Sequence, residues 1–145
     1  MSKAVFRGDL KNGISNISFS NDGRKIVAIG MDPEHCIAVY DVDKAMSARG
    51  SGRRDDFLIS SGKGPRGDVF DVKFDKADKS IILACNNEVY FATYDTPMIK
   101  LVKGLWDAKT CPLSTVLCIG HIEANIITGT FKGQLIVWRG NRAIQ

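Results

Sequence analysis

Histidine is almost absent from this chain of 145 residues: His35 and His121 are the only two, and no serine or cysteine motif sets a nucleophile beside either. Acid–base and nucleophilic catalysis draw heavily on histidine, so the sequence argues against an enzyme, and no catalytic residue is expected. Paired cysteines are missing too. Cys36, Cys85, Cys111 and Cys118 show no C-x-x-C spacing, and three of them sit in or beside strand patterns, as reduced cysteines of an intracellular protein do. Long apolar runs are lacking: Ile81–Cys85 is far too short to span a bilayer. The N-terminus meets a charge at Lys3 before any apolar core forms, which is unlike a signal peptide. No segment has helical periodicity longer than a turn, and there is no heptad stretch.

What the chain does have is a strand-rich unit that recurs three times. Each copy closes on an aromatic residue: Ile37-Ala38-Val39-Tyr40-Asp41, Val89-Tyr90-Phe91-Ala92-Thr93-Tyr94-Asp95 and Leu135-Ile136-Val137-Trp138-Arg139. Tyr94 and Trp138 are 44 residues apart, and Tyr40 and Tyr94 are 54 apart. A repeat of about 40–45 residues ending in an aromatic–Asp pair is the signature of a β-propeller blade. The expected fold is all-β, with antiparallel four-stranded blades in an incomplete ring of about three. The units run approximately over 14–60, 69–103 and 113–145. Residues 1–13 would hold an outer strand of a preceding unit, and 44–67 a basic insertion containing an outer strand. Closed propellers need roughly 4–8 blades, so 1–145 reads as a partial propeller cut from a larger protein. Open blade edges are sticky, so self-association or marginal stability is expected.

Alternation locates the strands. Ile17 and Phe19 share one face, followed by the turn Ser20-Asn21-Asp22-Gly23, whose Asp-Gly pair suits a tight hairpin. Lys25–Gly30 is the second strand, Cys36–Asp41 the third and Asp56–Ser60 the fourth. In the second unit, Phe70, Val72 and Phe74 fall on one face. Ser80–Cys85 and Glu88–Tyr94 follow, and Ile99–Lys103 forms the outer strand. The third unit has Ser114–Ile119, Asn125–Gly129 and Gln134–Trp138, with Phe131-Lys132-Gly133 in a turn.

The net charge of +4 is carried by one segment. Between Lys44 and Gly67, the bases Lys44, Arg49, Arg53, Arg54, Lys63 and Arg66 face only Asp55 and Asp56. A basic loop suits an acidic partner, and Arg49, Arg53, Arg54, Lys63 and Arg66 are the candidate partner-binding residues. Nucleic acid is less well matched, because aromatics do not interleave the bases and Asp55-Asp56 interrupts them.

Other patterns fall short of chemistry. Asp32, Glu34, His35 and Cys36 are metal-ligand types, but there is no second cluster to complete a tetrahedral site, so they read as a polar hairpin turn and no metal is expected. Ser61-Gly62-Lys63-Gly64 lacks the first glycine and the Ser/Thr of a phosphate loop. Asp68, Asp71, Asp75 and Asp78 lack the mid-loop glycine and closing glutamate of a calcium loop. No cofactor is expected. Arg7-Gly8-Asp9 and Arg66-Gly67-Asp68 read as turns.

These units resemble WD40 repeats, with Phe19, Asp22, Gly23, Asp32, Tyr40, Asp41, Phe74, Tyr94, Asp95, Gly129, Gly133 and Trp138 as the matching repeat positions. Residues 14–141 are similar to the echinoderm-microtubule-associated-protein-like family. The carrying stretches are Gly30–Asp41, Val69–Phe74 and Ile127–Asn141, in which a Phe-Asp strand precedes a Thr-Gly…Gly-x-Ile/Leu-x-Val-Trp ending. The sequence departs from the repeat at Tyr40 and Tyr94, which replace Trp, at Arg139, which replaces Asp, and in lacking Gly-His at the unit starts. The resemblance implies a non-catalytic scaffold in the cytoplasm, associated with the cytoskeleton and binding tubulin or microtubules. It also implies that Asp32 tightens its hairpin. A generic assembly platform and a nucleic-acid-binding propeller are the other readings the residues leave open.

Overall fold

The computed structural model describes residues 10–47, 57–109 and 112–144. The outer strand expected at Lys3–Arg7 and the insertion's Arg49, Arg53 and Arg54 lie outside the described residues. Three four-stranded antiparallel sheets form in chain order. Sheet A holds β1 Ile14–Phe19, β2 Lys25–Gly30, β3 Ile37–Asp41 and β4 Leu58–Gly62. Sheet B holds β5 Val69–Phe74, β6 Ser80–Cys85, β7 Glu88–Thr93 and β8 Lys100–Lys103. Sheet C holds β9 Val116–Ile122, β10 Asn125–Thr130, β11 Leu135–Arg139 and β12 Arg142–Ala143. Each sheet is a meander in chain order, with short turns linking its first three strands. The sheets stack as an arc that does not close into a ring among the described residues.

Among the described residues the arc is all-β apart from one helix. Residues Val42–Ser47 form α1 at the start of the basic insertion, where the sequence has no helical period to reveal it. Asp41 caps the helix: its Oδ1 accepts the N–H of Lys44 at 2.9 Å, satisfying a donor the first turn would leave orphaned. The short β12 was not legible either, since two residues cannot show alternation.

Both faces of sheet B are buried, which is why β6 reads as a continuous apolar run. On one side Ile81, Leu83, Cys85, Ala92, Val72 and Phe74 meet Val27, Ile29, Ile37 and Val39 of sheet A. On the other, Ile82, Ala84, Val89 and Phe91 meet Val116, Ile119, Ile126, Ile136 and Trp138 of sheet C. The Phe91 and Trp138 rings lie 5.8 Å apart, and Trp138 Nε1 donates to Thr128 Oγ1 at 2.9 Å, both residues being fully buried. Gly104 permits this packing: a Cβ there would stand 2.8 Å from Trp138 Cζ3.

The three sheets share one irregularity. The first strand of each bulges by one residue, at Ser15, Phe70 and Leu117, opposite the end of the second strand. The bulge corrects the expected face of β5: Phe70 is turned out and exposed, while Val69, Val72 and Phe74 point inward. An extra residue rotates everything before it by one step of the two-residue period.

The register also corrects the repeat. Tyr40 opposes Ile26 and Trp138 opposes Ile126, but the residue opposing Ile81 is Ala92. Tyr94 therefore lies two residues beyond the place of Tyr40 and Trp138. It packs edge-on against Phe74, with ring centroids 5.7 Å apart, and donates its hydroxyl to the carbonyl of Asp78.

Candidate interaction surfaces

An antiparallel meander puts alternate connections at opposite ends of the arc. One end carries the β1–β2, β5–β6 and β9–β10 turns and the connections into each fourth strand. The other carries the β2–β3, β6–β7 and β10–β11 turns and the two inter-sheet connections.

At the first end hydrogen bonds lock neighbouring turns together. Ser20–Gly23 and Asp75–Asp78 are matching turns, each closed by a 3.0 Å backbone bond, from Gly23 N to Ser20 O and from Asp78 N to Asp75 O. Gly23 has φ 73° and Asp78 φ 55° at equivalent positions. The Asp78 carboxylate reaches across to sheet A, accepting the N–H and the side-chain amide of Asn21 at 2.8 Å each and the N–H of Asp22 at 3.1 Å. Asp22 itself accepts from the Ser20 hydroxyl at 2.6 Å and from the Arg24 N–H at 2.9 Å, bonds that hold its carboxyl below the usual range. Asp95 is exposed at this same end.

At the other end the candidate basic residues are only partly free. Lys63 Nζ pairs with Glu34 Oε1 at 2.7 Å, which pushes the ammonium pKa up. Lys63 therefore does not offer the bare cation expected of it. Both side chains are largely exposed, so the pair itself adds little stability. Its neighbour Gly64 is no phosphate cradle: a Cβ there would lie 2.0 Å from the His35 carbonyl, so glycine is what lets this connection lie against the β2–β3 turn. Arg66 is exposed. Asp32 organises that turn as expected, accepting from the N–H groups of Glu34 at 3.1 Å and Cys36 at 3.3 Å. Burial raises the Asp32 pKa, but the bonds from Cys36 and Glu34 outweigh it and the carboxyl lies below its ordinary value. Burial, followed by Asp32, pushes the Cys36 thiol up. Among the described residues no group of three or more His, Cys, Asp or Glu could hold a metal ion.

The apolar residues at this end are the unexpected ones. Met31 and Phe131 stand on the β2–β3 and β10–β11 turns, and Phe131 is 76% exposed beside exposed Lys132. Gly133, at φ 78°, closes the second of these turns with a 3.0 Å bond to the Thr130 carbonyl, and Phe131 N donates to Thr115 O at 2.8 Å. The turn backbone is therefore fixed while the ring projects. Phe131-Lys132 was visible in sequence as turn residues, but nothing in the sequence indicated that the ring would find no core.

Sequence reasoning also missed two residues that join the sheets. Asn16 Nδ2 donates to the Phe70 carbonyl at 3.2 Å, and Asp71 Oδ2 accepts from Ile119 N at 2.8 Å. Each is the first residue after the bulge. The shared pattern of Ile14-x-Asn16-Ile17-x-Phe19 and Val69-x-Asp71-Val72-x-Phe74 was the signal that could have found them.

No protein-family model matches the chain. The fold is similar to the crystal structure of the Myceliophteria thermophila Cps50 (Swd1) β-propeller domain, with a TM-score of 0.66 at 14% identity. The match covers 91% of this chain and 41% of that one, so this chain spans less than half that structure's length. Together the three sheets and this likeness define a partial β-propeller of successive four-stranded blades.

Proposed function

We propose that the chain is a non-catalytic scaffold of WD40 type whose β2–β3/β10–β11 end docks an acidic, partly apolar protein surface, with tubulin in microtubules as the partner. In this reading it works in the cytoplasm at the cytoskeleton. The observation that carries it is the projection of Phe131 and Met31 from otherwise ordered turns, on the end that also bears Lys132 and Arg66. Exposed aromatics on rigid backbone are economical binding anchors, because little conformational entropy is lost when they are covered. The sequence resemblance to echinoderm-microtubule-associated-protein-like repeats supplies the choice of tubulin.

Co-sedimentation with microtubules across a salt series tests the reading. Binding that weakens with salt and falls when Phe131 and Lys132 are both replaced by Ala supports it. Absence of pelleting, with other proteins enriched from lysate, favours a generic platform. Displacement from microtubules by RNA at physiological salt favours a nucleic-acid-binding propeller.

A further inference from the structure

The two outer faces of the arc are of the two kinds that meet at its internal joints. Ile17 and Phe19 of β1 occupy the strand positions of Val72 and Phe74 in β5, as set by the shared bulge and register. Val72 and Phe74 are 1% and 2% exposed against sheet A, whereas Ile17 and Phe19 are 60% and 58% exposed. No described sheet covers them. Farther out on the same face, Leu10, Ile26 and Leu58 pack with Ala28, Ala38 and Tyr40, so the bare part is the inner strand.

Sheet C shows the reverse relation. Ile127 and Val137 hold the places of Val27 and Val39 in sheet A and of Ile82 and Phe91 in sheet B. Those residues are buried against the following sheet, whereas Ile127 and Val137 are only half-buried and Ile122 and Leu135 beside them are exposed, Leu135 at 71%. Cys118 follows the bulge as Asn16 and Asp71 do, and it too is exposed.

From this we infer that the chain pairs head to tail with a second copy, the outer face of sheet C in each copy covering the Ile17–Phe19 face of the other. The occupant follows from the register. Both joints within the chain set a face of the sheet C kind against a face of the β1 kind, and a second copy presents that complement with the same strand spacing. Two heterologous joints closing on a two-fold axis satisfy both copies. They would make a ring of twice three blades, inside the span of roughly 4–8 blades at which propellers close. The inference rests on the fold and is independent of the partner proposed for the turns.

Sedimentation equilibrium of the whole chain over a concentration series is the test, with Phe19→Asp and Leu135→Asp as variants. Both residues are exposed, so circular dichroism should show the fold retained; Ile17→Glu and Ile122→Glu form a second pair if it does not. The expected species has twice the 15.9 kDa chain mass. Each variant should weaken association by about tenfold or more, because a joint would have to bury an unpaired carboxylate. A monomer at all concentrations overturns the inference. So does a dimer insensitive to Phe19→Asp, which would indicate a like-with-like contact of sheet C, and so does an open-ended ladder of higher species.

Discussion

The side chain of Asp78 in sheet B holds the backbone and the side-chain amide of Asn21 in sheet A, both at 2.8 Å. Two residues 57 apart thereby tie neighbouring blades at their turns, while the apolar cores tie them along their faces. Asp78 does this from a left-handed backbone conformation, φ 55°, which a non-glycine residue adopts only at some cost. Asp78→Ala should cost about 0.5–1.5 kcal/mol in chemical denaturation, since the exposed Asn21 and Asp22 donors exchange the carboxylate for water. Asp78→Gly should cost less than Asp78→Ala, because glycine relieves the φ while losing the same bonds.

Thr128→Val should destabilise by about 1–3 kcal/mol, because the fully buried Trp138 Nε1–H is left without a partner at nearly unchanged volume. Gly104→Ala should cost a similar amount, roughly 1–3 kcal/mol by overpacking, since its Cβ meets both Trp138 and the Val89 carbonyl within 3.0 Å. Equilibrium unfolding followed by tryptophan fluorescence reads both.

Alkali should weaken the fold within a defined window. Tyr90 is pushed up from 10.0 to about 12 by burial and then by its bond to Glu88. Tyr94 is pushed up from 10.0 to about 12 by burial and then by Asp78, Asp75 and Asp22. Between these values the unfolded chain releases phenolic protons that the folded chain retains. The stabilisation is therefore complete below pH 10 and is lost as pH rises through about 12. Tyr94→Phe should flatten this decline, as measured by denaturant midpoints across the window.

Asp71→Ala should loosen the joint between sheets B and C without unfolding sheet B. Its carboxylate accepts the Ile119 amide at 2.8 Å, so hydrogen exchange at Ile119 should accelerate while exchange at Ile82 and Leu83 stays slow. Equal acceleration at all three would mean that the bond supports the whole arc.

The fold was legible where burial imposes a simple period. Lys25–Gly30 and Ser80–Cys85 read as strands because their sheets are covered, and the three apolar units fix the number of sheets. The reading slipped where one residue changes phase. The bulge at Phe70 exposes a ring that strict alternation buries, and the register puts Ala92 where the aromatic period suggested Tyr94. α1 depends on a cap from Asp41 rather than on an amphipathic pattern. The candidate site was less legible, because its determinants are contacts between turns far apart in sequence. Lys63 reads as a free cation until Glu34 is seen beside it. Phe131 reads as a turn residue, and only the placed turn shows its ring 76% exposed.

The most direct test of the scaffold reading is hydrogen exchange on the chain with and without microtubules. New protection is expected in the Met31–Cys36 and Thr130–Gln134 turns, with the Asn21–Asp22 and Asp75–Asp78 turns at the opposite end unchanged. Protection confined to that opposite end, or none at saturating microtubules, would contradict it.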